Sequence, residues 1–284
     1  MRITNIVLNS NNSEIANLSF RDPTFMGQYI AKTIIGLDAD EIVSKFYSFG
    51  LSSKKRFNDV SIKDRDVVMR IVLNPRRVLN ETYSDLRDDL YRAISSSRTG
   101  EVTLYFYAGA TLVAYLDGFI TKFEVPHFSK TAEAQITIKC SNPLMRAVNP
   151  VRLDPTDISI TNPVVIADSL STAPHGFKFR LKFTADTTNF VIQDESTPDW
   201  KFEIVPGVIS GDTGFLTDDV LYFSSEFNAK YLYIIRGGTT YSLVDKIQLG
   251  GIWPVLFPGA NRFHIISGAF VWEEIEYFAA YWGV

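Results

Sequence analysis

Apolar and polar residues alternate along most of this chain, and in one segment the period lengthens to that of a helix. The first half opens with strand-like runs, Asn5-Ile-Val-Leu-Asn9 and Tyr29-Ile-Ala-Lys-Thr-Ile-Ile35. Gly36-Leu-Asp-Ala-Asp40 turns the chain before Glu41-Ile-Val-Ser-Lys-Phe-Tyr47, and a polar, basic loop follows at Ser52-Ser-Lys-Lys-Arg56. Asp66-Val-Val-Met-Arg-Ile-Val-Leu73 is a β-branched strand ended by Asn74-Pro75. Tyr83, Leu86, Leu90, Ala93 and Ile94 then recur at helical spacing, which leaves Asp88, Asp89 and Arg92 for solvent. Thr82 is placed to cap this helix, with Asp85 three residues on in a box-like position. Ser95-Ser-Ser-Arg-Thr-Gly100 stops the helix, and Arg87 and Asp88 read as surface charges.

The β pattern resumes at Glu101-Val-Thr-Leu-Tyr-Phe-Tyr107 and, after a tight turn at Gly109, at Thr111-Leu-Val-Ala-Tyr-Leu116. Phe119-Ile-Thr-Lys-Phe-Glu-Val125 and Ala134-Gln-Ile-Thr-Ile-Lys-Cys140 predict a long hairpin about Pro126-His-Phe-Ser-Lys130. Cys140-Ser-Asn-Pro143 leaves the sheet, and a domain boundary falls near residue 150. Beyond it the pattern is almost wholly that of strands. Phe177-Lys-Phe-Arg-Leu-Lys-Phe183 has one apolar and one basic face, and Val220-Leu-Tyr-Phe, Tyr231-Leu-Tyr-Ile-Ile235 and Tyr241-Ser-Leu-Val244 follow at short intervals. Gly237-Gly238 predicts a hairpin between the last two. The expectation is a mainly β protein of two domains, 1–150 with one helix and 151–284 as a β-sandwich or barrel.

One turn near the C-terminus has a clear backbone logic. In Leu256-Phe-Pro-Gly-Ala-Asn-Arg-Phe263, Pro258 presets the first corner of a type II turn and Gly259 takes the positive φ of the second. Asn261 can close the turn on nearby backbone, and Phe263 and Ile265 start a strand with alternating faces.

Composition sharpens this picture only in places. Hydrophobic residues make up 46% and charged residues 21% of 284 positions, which fits a packed globular chain. The 21 Phe and 13 Tyr suit sheets. No apolar run reaches the ~18 residues of a membrane helix, and no long apolar leader is visible at Met1-Arg-Ile-Thr-Asn-Ile-Val. The single Cys140 excludes an internal disulfide and reads as a small buried hydrophobe rather than a nucleophile. The net charge of −4 divides into +3 over residues 1–150 and −7 over 151–284, and neither half has the basic profile of a nucleic-acid binder.

Chemistry-bearing residues are sparse. His127, His175 and His264 lie far apart, and no metalloprotease, phosphate-loop, nucleophile-elbow or dinucleotide motif occurs. Asp218-Asp219 reads as a turn rather than a calcium loop. Among Glu273, Glu274 and Glu276, the first two are expected on opposite strand faces and the last two on the solvent face, with Ile275 and Tyr277 inward. Trp253, Trp272 and Trp282 are candidates for a sugar-stacking platform, with core packing the favoured reading. Lys54-Lys55-Arg56 reads as solvated.

In order along the chain, Gly36-Leu-Asp-Ala-Asp-Glu-Ile42, Tyr83-Ser-Asp-Leu-Arg-Asp-Asp-Leu-Tyr-Arg-Ala-Ile94, Val102-Thr-Leu-Tyr-Phe106, Cys140-Ser-Asn-Pro143, Asp219-Val-Leu-Tyr-Phe223 and the Trp253-to-Phe263 loop resemble the distal tail protein (Dit) family of siphophage tail tips. Phe49-Gly50-Leu-Ser-Ser-Lys54 stands where the family often has an Arg-Asp-Gly-like stretch. The resemblance implies a β-sandwich or barrel-like ring domain with one helix, followed by a galectin-like β-sandwich. It implies a non-enzymatic virion protein at the phage tail tip, assembled in the host cytoplasm, without catalytic, cofactor-binding or metal-binding residues. Its implied partners are five further copies in a hexamer, the major tail tube protein, the tail hub or tail-associated lysin, and receptor-binding or side-fibre proteins. DNA would meet it only in passing through the ring, and no membrane insertion is implied. A carbohydrate-binding adhesin of the tail tip is the alternative.

Overall fold

The structure, a computed structural model, describes residues 3–10, 13–19, 27–38, 42–48, 55–62, 64–76, 79–97, 100–125, 132–140, 142–153, 164–195, 201–227, 229–248, 251, 253–266 and 269–283, and of residues 13, 19, 42–62, 96 and 97 at most the backbone. The expected loop at residues 52–54, the hairpin tip at 126–130 with His127, and positions 39–41 lie outside the described residues, as do the side chains of Lys54-Lys55-Arg56.

The chain divides into two compact units, Met1–Val148 with Tyr281–Val284, and Asn149–Ala280. In the first, β1 (Asn5–Ser10), β2 (Ser13–Ser19), β3 (Tyr29–Ile35), β4 (Ile42–Ser48), β5 (Lys55–Ile62) and β6 (Arg65–Leu73) precede helix α1 (Tyr83–Ser97). After it come β7 (Val102–Ala108), β8 (Thr111–Glu124), β9 (Glu133–Cys140) and β10 (Met145–Ala147). β4 and β5 form a separate hairpin. The others run in the order β10-β8-β7-β1-β2-β3-β6-β9, and β8 also pairs with β9, which closes a seven-stranded barrel. β2 and β3 pair in parallel, at Leu18↔Tyr29 and Ser19↔Ile30. The alternation read in the sequence is the alternation of lumen and surface: along β6, Val67, Met69, Ile71 and Leu73 are buried while Asp66 and Arg70 are exposed.

Two sequence expectations change here. The segments about Thr111–Leu116 and Phe119–Val125 are one fourteen-residue strand, β8. Asp117-Gly118 looks like punctuation, but a Cβ on Gly118 would sit 2.6 Å from the Lys139 carbonyl oxygen, so glycine lets β8 pass close to β9. The helix is capped as read: Thr82 N and Oγ1 donate to Asp85 Oδ2 at 2.8 and 2.7 Å, and Asp85 N donates back to Thr82 Oγ1 at 3.2 Å. Its buried stripe is Leu86, Leu90 and Ile94; Tyr83, expected on that stripe, is 57% exposed because it lies in the first turn, before the helix settles on the sheet.

The second unit holds β11 (Val151–Leu153), β12 (Val164–Asp168), β13 (Lys178–Phe183), β14 (Phe190–Asp194), β15 (Lys201–Ile204), β16 (Val208–Ile209), β17 (Asp212–Thr213), β18 (Val220–Ser224), β19 (Tyr231–Arg236), β20 (Thr239–Ser242), β21 (Gly259–Ile265) and β22 (Phe270–Tyr277). Six strands run β11-β22-β13-β18-β19-β20 and four run β12-β21-β14-β15, both sheets antiparallel. Phe179, Leu181, Phe223 and Ile275 from the larger sheet share one core with Ile166, Phe190, Phe202 and Phe263 from the smaller, so the unit is a two-layer sandwich. Gly237-Gly238 is the tight turn between β19 and β20, as the sequence indicates. A last strand, β23 (Ala280–Tyr281), carries the chain back to the first unit beside β10, where the Arg65 guanidinium, 1% exposed, donates to the Trp282 carbonyl at 2.5 Å.

Candidate functional site

The turn before β21 is built as its residues dictate. Gly259 has φ +104°, and Asn261, 7% exposed, accepts from Phe257 N at 2.7 Å and donates to the carbonyls of Phe257, Gly259 and Ile166. Leu256 is fully buried and exchanges both backbone bonds with His175. Half-exposed Phe257 and the residues Asp194, Glu195, Ala260 and Arg262 line a depression of about 350 Å³ beside the turn.

The histidines occupy different settings. His264, on β21, has Nε2 3.8 Å from Glu195 Oε1. His175 is buried, with Nδ1 3.2 Å from the Ala173 carbonyl and Nε2 3.7 Å from Asp168 Oδ2. Asp168 Oδ1 accepts from the backbone amides of Leu170 and Ser171, both at 3.1 Å, so this carboxylate ties down the link between β12 and β13. Tyr277 lies 5.3 Å from the His175 ring; burial, and secondarily the Asp168 charge, pushes its phenol up to about 12.

The acidic pair Asp218-Asp219 also separates. Asp218, at φ +71°, pairs with Lys182 at 2.7 Å. Asp219, 2% exposed, receives Arg236 Nη2 at 2.6 Å and Nε at 2.9 Å, while Arg236 caps the carbonyls of Ile209 and Gly214. This charge-assisted fork pins the β16–β17 hairpin to the sandwich. Among the described residues no group of three or more His, Cys, Asp or Glu converges as a metal site would require.

The carboxylates of β22 overturn one expectation. The pairing slips so that Arg180 faces Glu274 while Leu181 faces Trp272, leaving Glu273 as the extra residue of a β-bulge. Trp272 and Ile275 both point inward, so Glu273 and Glu274 share the outer face instead of opposite ones. Glu276 joins them, with Ile275 and Tyr277 inward as read from the alternation. Opposing them are Arg152, whose Nε is 2.7 Å from Glu276, Lys178, which reaches Glu226 at 3.0 Å and Glu276 at 3.6 Å, and Arg180, 2.8 Å from Glu273.

Beside these ion pairs stand three tyrosines. Tyr222 and Tyr233 face each other across β18 and β19 with ring centroids 4.9 Å apart and planes 11° from parallel, and Tyr231 lies 5.5 Å from Tyr233. Together they line an open groove of about 250 Å³ on the outer face of the larger sheet. Period-two placement of tyrosines opposite the buried Leu221, Phe223, Leu232 and Ile234 was the available sequence signal, read there only as strand patterning. Of the candidate tryptophans, Trp272 is in the core and Trp253 stacks on Phe223 and meets Phe202 at a tilt of 46°, while Trp282 belongs to the first unit. Trp253 and Trp272 thus pack against the sandwich core.

No protein-family model matches the sequence, and no curated protein matches it. Among solved structures the chain is similar to the SPP1 Dit (gp 19.1) protein, described as a paradigm of the hub adsorption apparatus in phages infecting Gram-positive bacteria. That match has 12% identity and a TM-score of 0.59, and covers 97% of this chain and 98% of the other. A chain of the phage P2 baseplate in its activated conformation with Ca is similar over 98% of both chains at 11% identity and a TM-score of 0.41. The chain therefore has the fold of a distal tail protein along nearly its whole length.

Proposed function

We propose that this chain is a structural hub of a phage tail tip, a distal tail protein that builds an assembly and performs no catalysis. The observation that carries this reading is the likeness of its fold to the SPP1 Dit hub over 97% of the chain. In this reading the barrel unit forms a hexameric ring that continues the tail tube, and the sandwich is a galectin-like platform for receptor-binding or side-fibre proteins. The ring meets the tube protein on one side and the tail hub or tail-associated lysin on the other, and DNA passes through its channel. A closed ring needs two different complementary surfaces on each copy. Exposed Ile35, Leu79, Tyr83 and Phe119 on the first unit supply apolar area of the kind such contacts bury.

Antibody raised against the purified chain and gold-labelled should decorate the tail tip of the phage that encodes it. Label spread along the tube, or absent from purified virions, would remove the reading.

A further inference from the structure

We propose that the tyrosine groove on the outer face of the sandwich binds a neutral saccharide. The proposal stands on this groove alone and does not depend on the hub reading.

The groove has the two surfaces a sugar ring requires. The rings of Tyr222, Tyr231 and Tyr233 offer flat apolar area edged by hydroxyls, which complements a pyranose with an apolar C–H face and a hydroxylated rim. All three sit on strands and are partly buried, so little rotamer freedom remains to be lost on binding. Next to them, Lys178, Arg180, Glu274 and Glu276 present both donors and acceptors.

Charge decides the ligand class. Arg152, Lys178 and Arg180 each lie within ion-pair distance of a glutamate: Glu276, Glu226 and Glu273 respectively. Glu274 adds a fourth carboxylate, 4.0 Å from Arg152. A phosphate or polyanion would have to displace these carboxylates to reach the cations, and an apolar ligand would find no aliphatic side chain in the lining. A neutral polyol can instead donate to the glutamates and accept from the cations without breaking the pairs. The volume of about 250 Å³ falls below the ~300–1,000 Å³ of closed small-molecule pockets and suits one or two sugar units lying on an open face. The stacking surface thus consists of tyrosines and not of Trp253 and Trp272, for which the sequence reading favoured core packing.

The test titrates the full chain with lactose, maltotriose and chitotriose, following groove signals by NMR and affinity by calorimetry. At least one sugar should bind with millimolar or tighter affinity. Tyr231→Ala should weaken it about tenfold, the order expected for one lost stacking ring. Tyr231→Phe should retain most of the binding with the fold intact, and Trp253→Phe should leave it unchanged. The proposal is overturned if none of the three sugars moves groove signals, or if the bound sugar is indifferent to Tyr231→Ala. Oligomeric state is read on the same samples. Sugar binding without rings would sink the hub and spare this site; rings without binding would do the reverse.

Discussion

The barrel and the sandwich handle exposed strand edges in opposite ways, and their cores differ accordingly. The barrel pairs β8 with both β7 and β9 and so closes on itself, around a lumen filled mainly by Ile, Val, Leu, Met and Cys140. Among the described residues its buried aromatics are Tyr29 and Phe106. The sandwich stays open, with short outer strands: three residues in β11 and four polar or half-exposed ones in β20. Its two sheets are instead joined by a continuous aromatic contact set. Phe223 stacks on Phe179 at 4.5 Å and meets Phe202 and Trp253 at 5.3 and 5.4 Å. Closure lets aliphatic residues suffice, whereas an open sandwich gains its cohesion from large rings spanning two layers.

Truncating one fully buried side chain in each unit to alanine probes that difference most strongly. Phe223→Ala should cost the sandwich about 4 kcal/mol, and Ile138→Ala should cost the barrel about 3 kcal/mol. Calorimetry should show each lowering the transition of its own unit, the first by more. A Phe223→Ala effect no larger than that of Ile138→Ala would mean that the aromatic set has no special weight.

Next in size is the Arg236–Asp219 fork. Removing the cation by Arg236→Ala leaves Asp219 buried without its main partner and should destabilise the sandwich by about 3 kcal/mol in urea unfolding. A loss no larger than that from Arg152→Ala, an exposed pair on the same unit, would contradict the assigned role.

On the barrel side, Thr82→Ala should cost about 1 kcal/mol through the lost helix cap. The Asp85 carboxyl is held below its ordinary range by the Thr82 side-chain and backbone hydrogen bonds. Its contribution is therefore complete above the ordinary Asp range and lost as pH falls through the lowered value, and Thr82→Ala should remove that acid step. The last effect, confined to strongly alkaline solution, concerns Tyr277. Because its phenol is raised from 10.0 to about 12, the sandwich should lose stability as pH climbs through that interval, and Tyr277→Phe should flatten the decline.

Much of this architecture was legible because burial on one face forces period-two patterning. The alternation of Phe177–Phe183, the Thr82–Asp85 cap, the Gly237-Gly238 turn and the Asn261 closure are all local, and local rules suffice for them. Three features were hidden. The continuity of β8 depends on a carbonyl that approaches Gly118 from another strand. The common face of Glu273 and Glu274 depends on a bulge fixed by pairing with β13. The tyrosine groove depends on Tyr222 and Tyr231 being brought to one surface by the β18–β19 register. Each is a long-range relation, which strand periodicity does not carry.

The central claim, that the chain is a ring-forming hub, is tested most directly by native mass measurement of the purified full-length protein across a concentration series. The claim predicts a species of six copies of the 32.0 kDa chain, which Leu79→Glu together with Tyr83→Asp shifts toward monomer. A protein that stays monomeric at the highest concentration reached, with or without those substitutions, would contradict it.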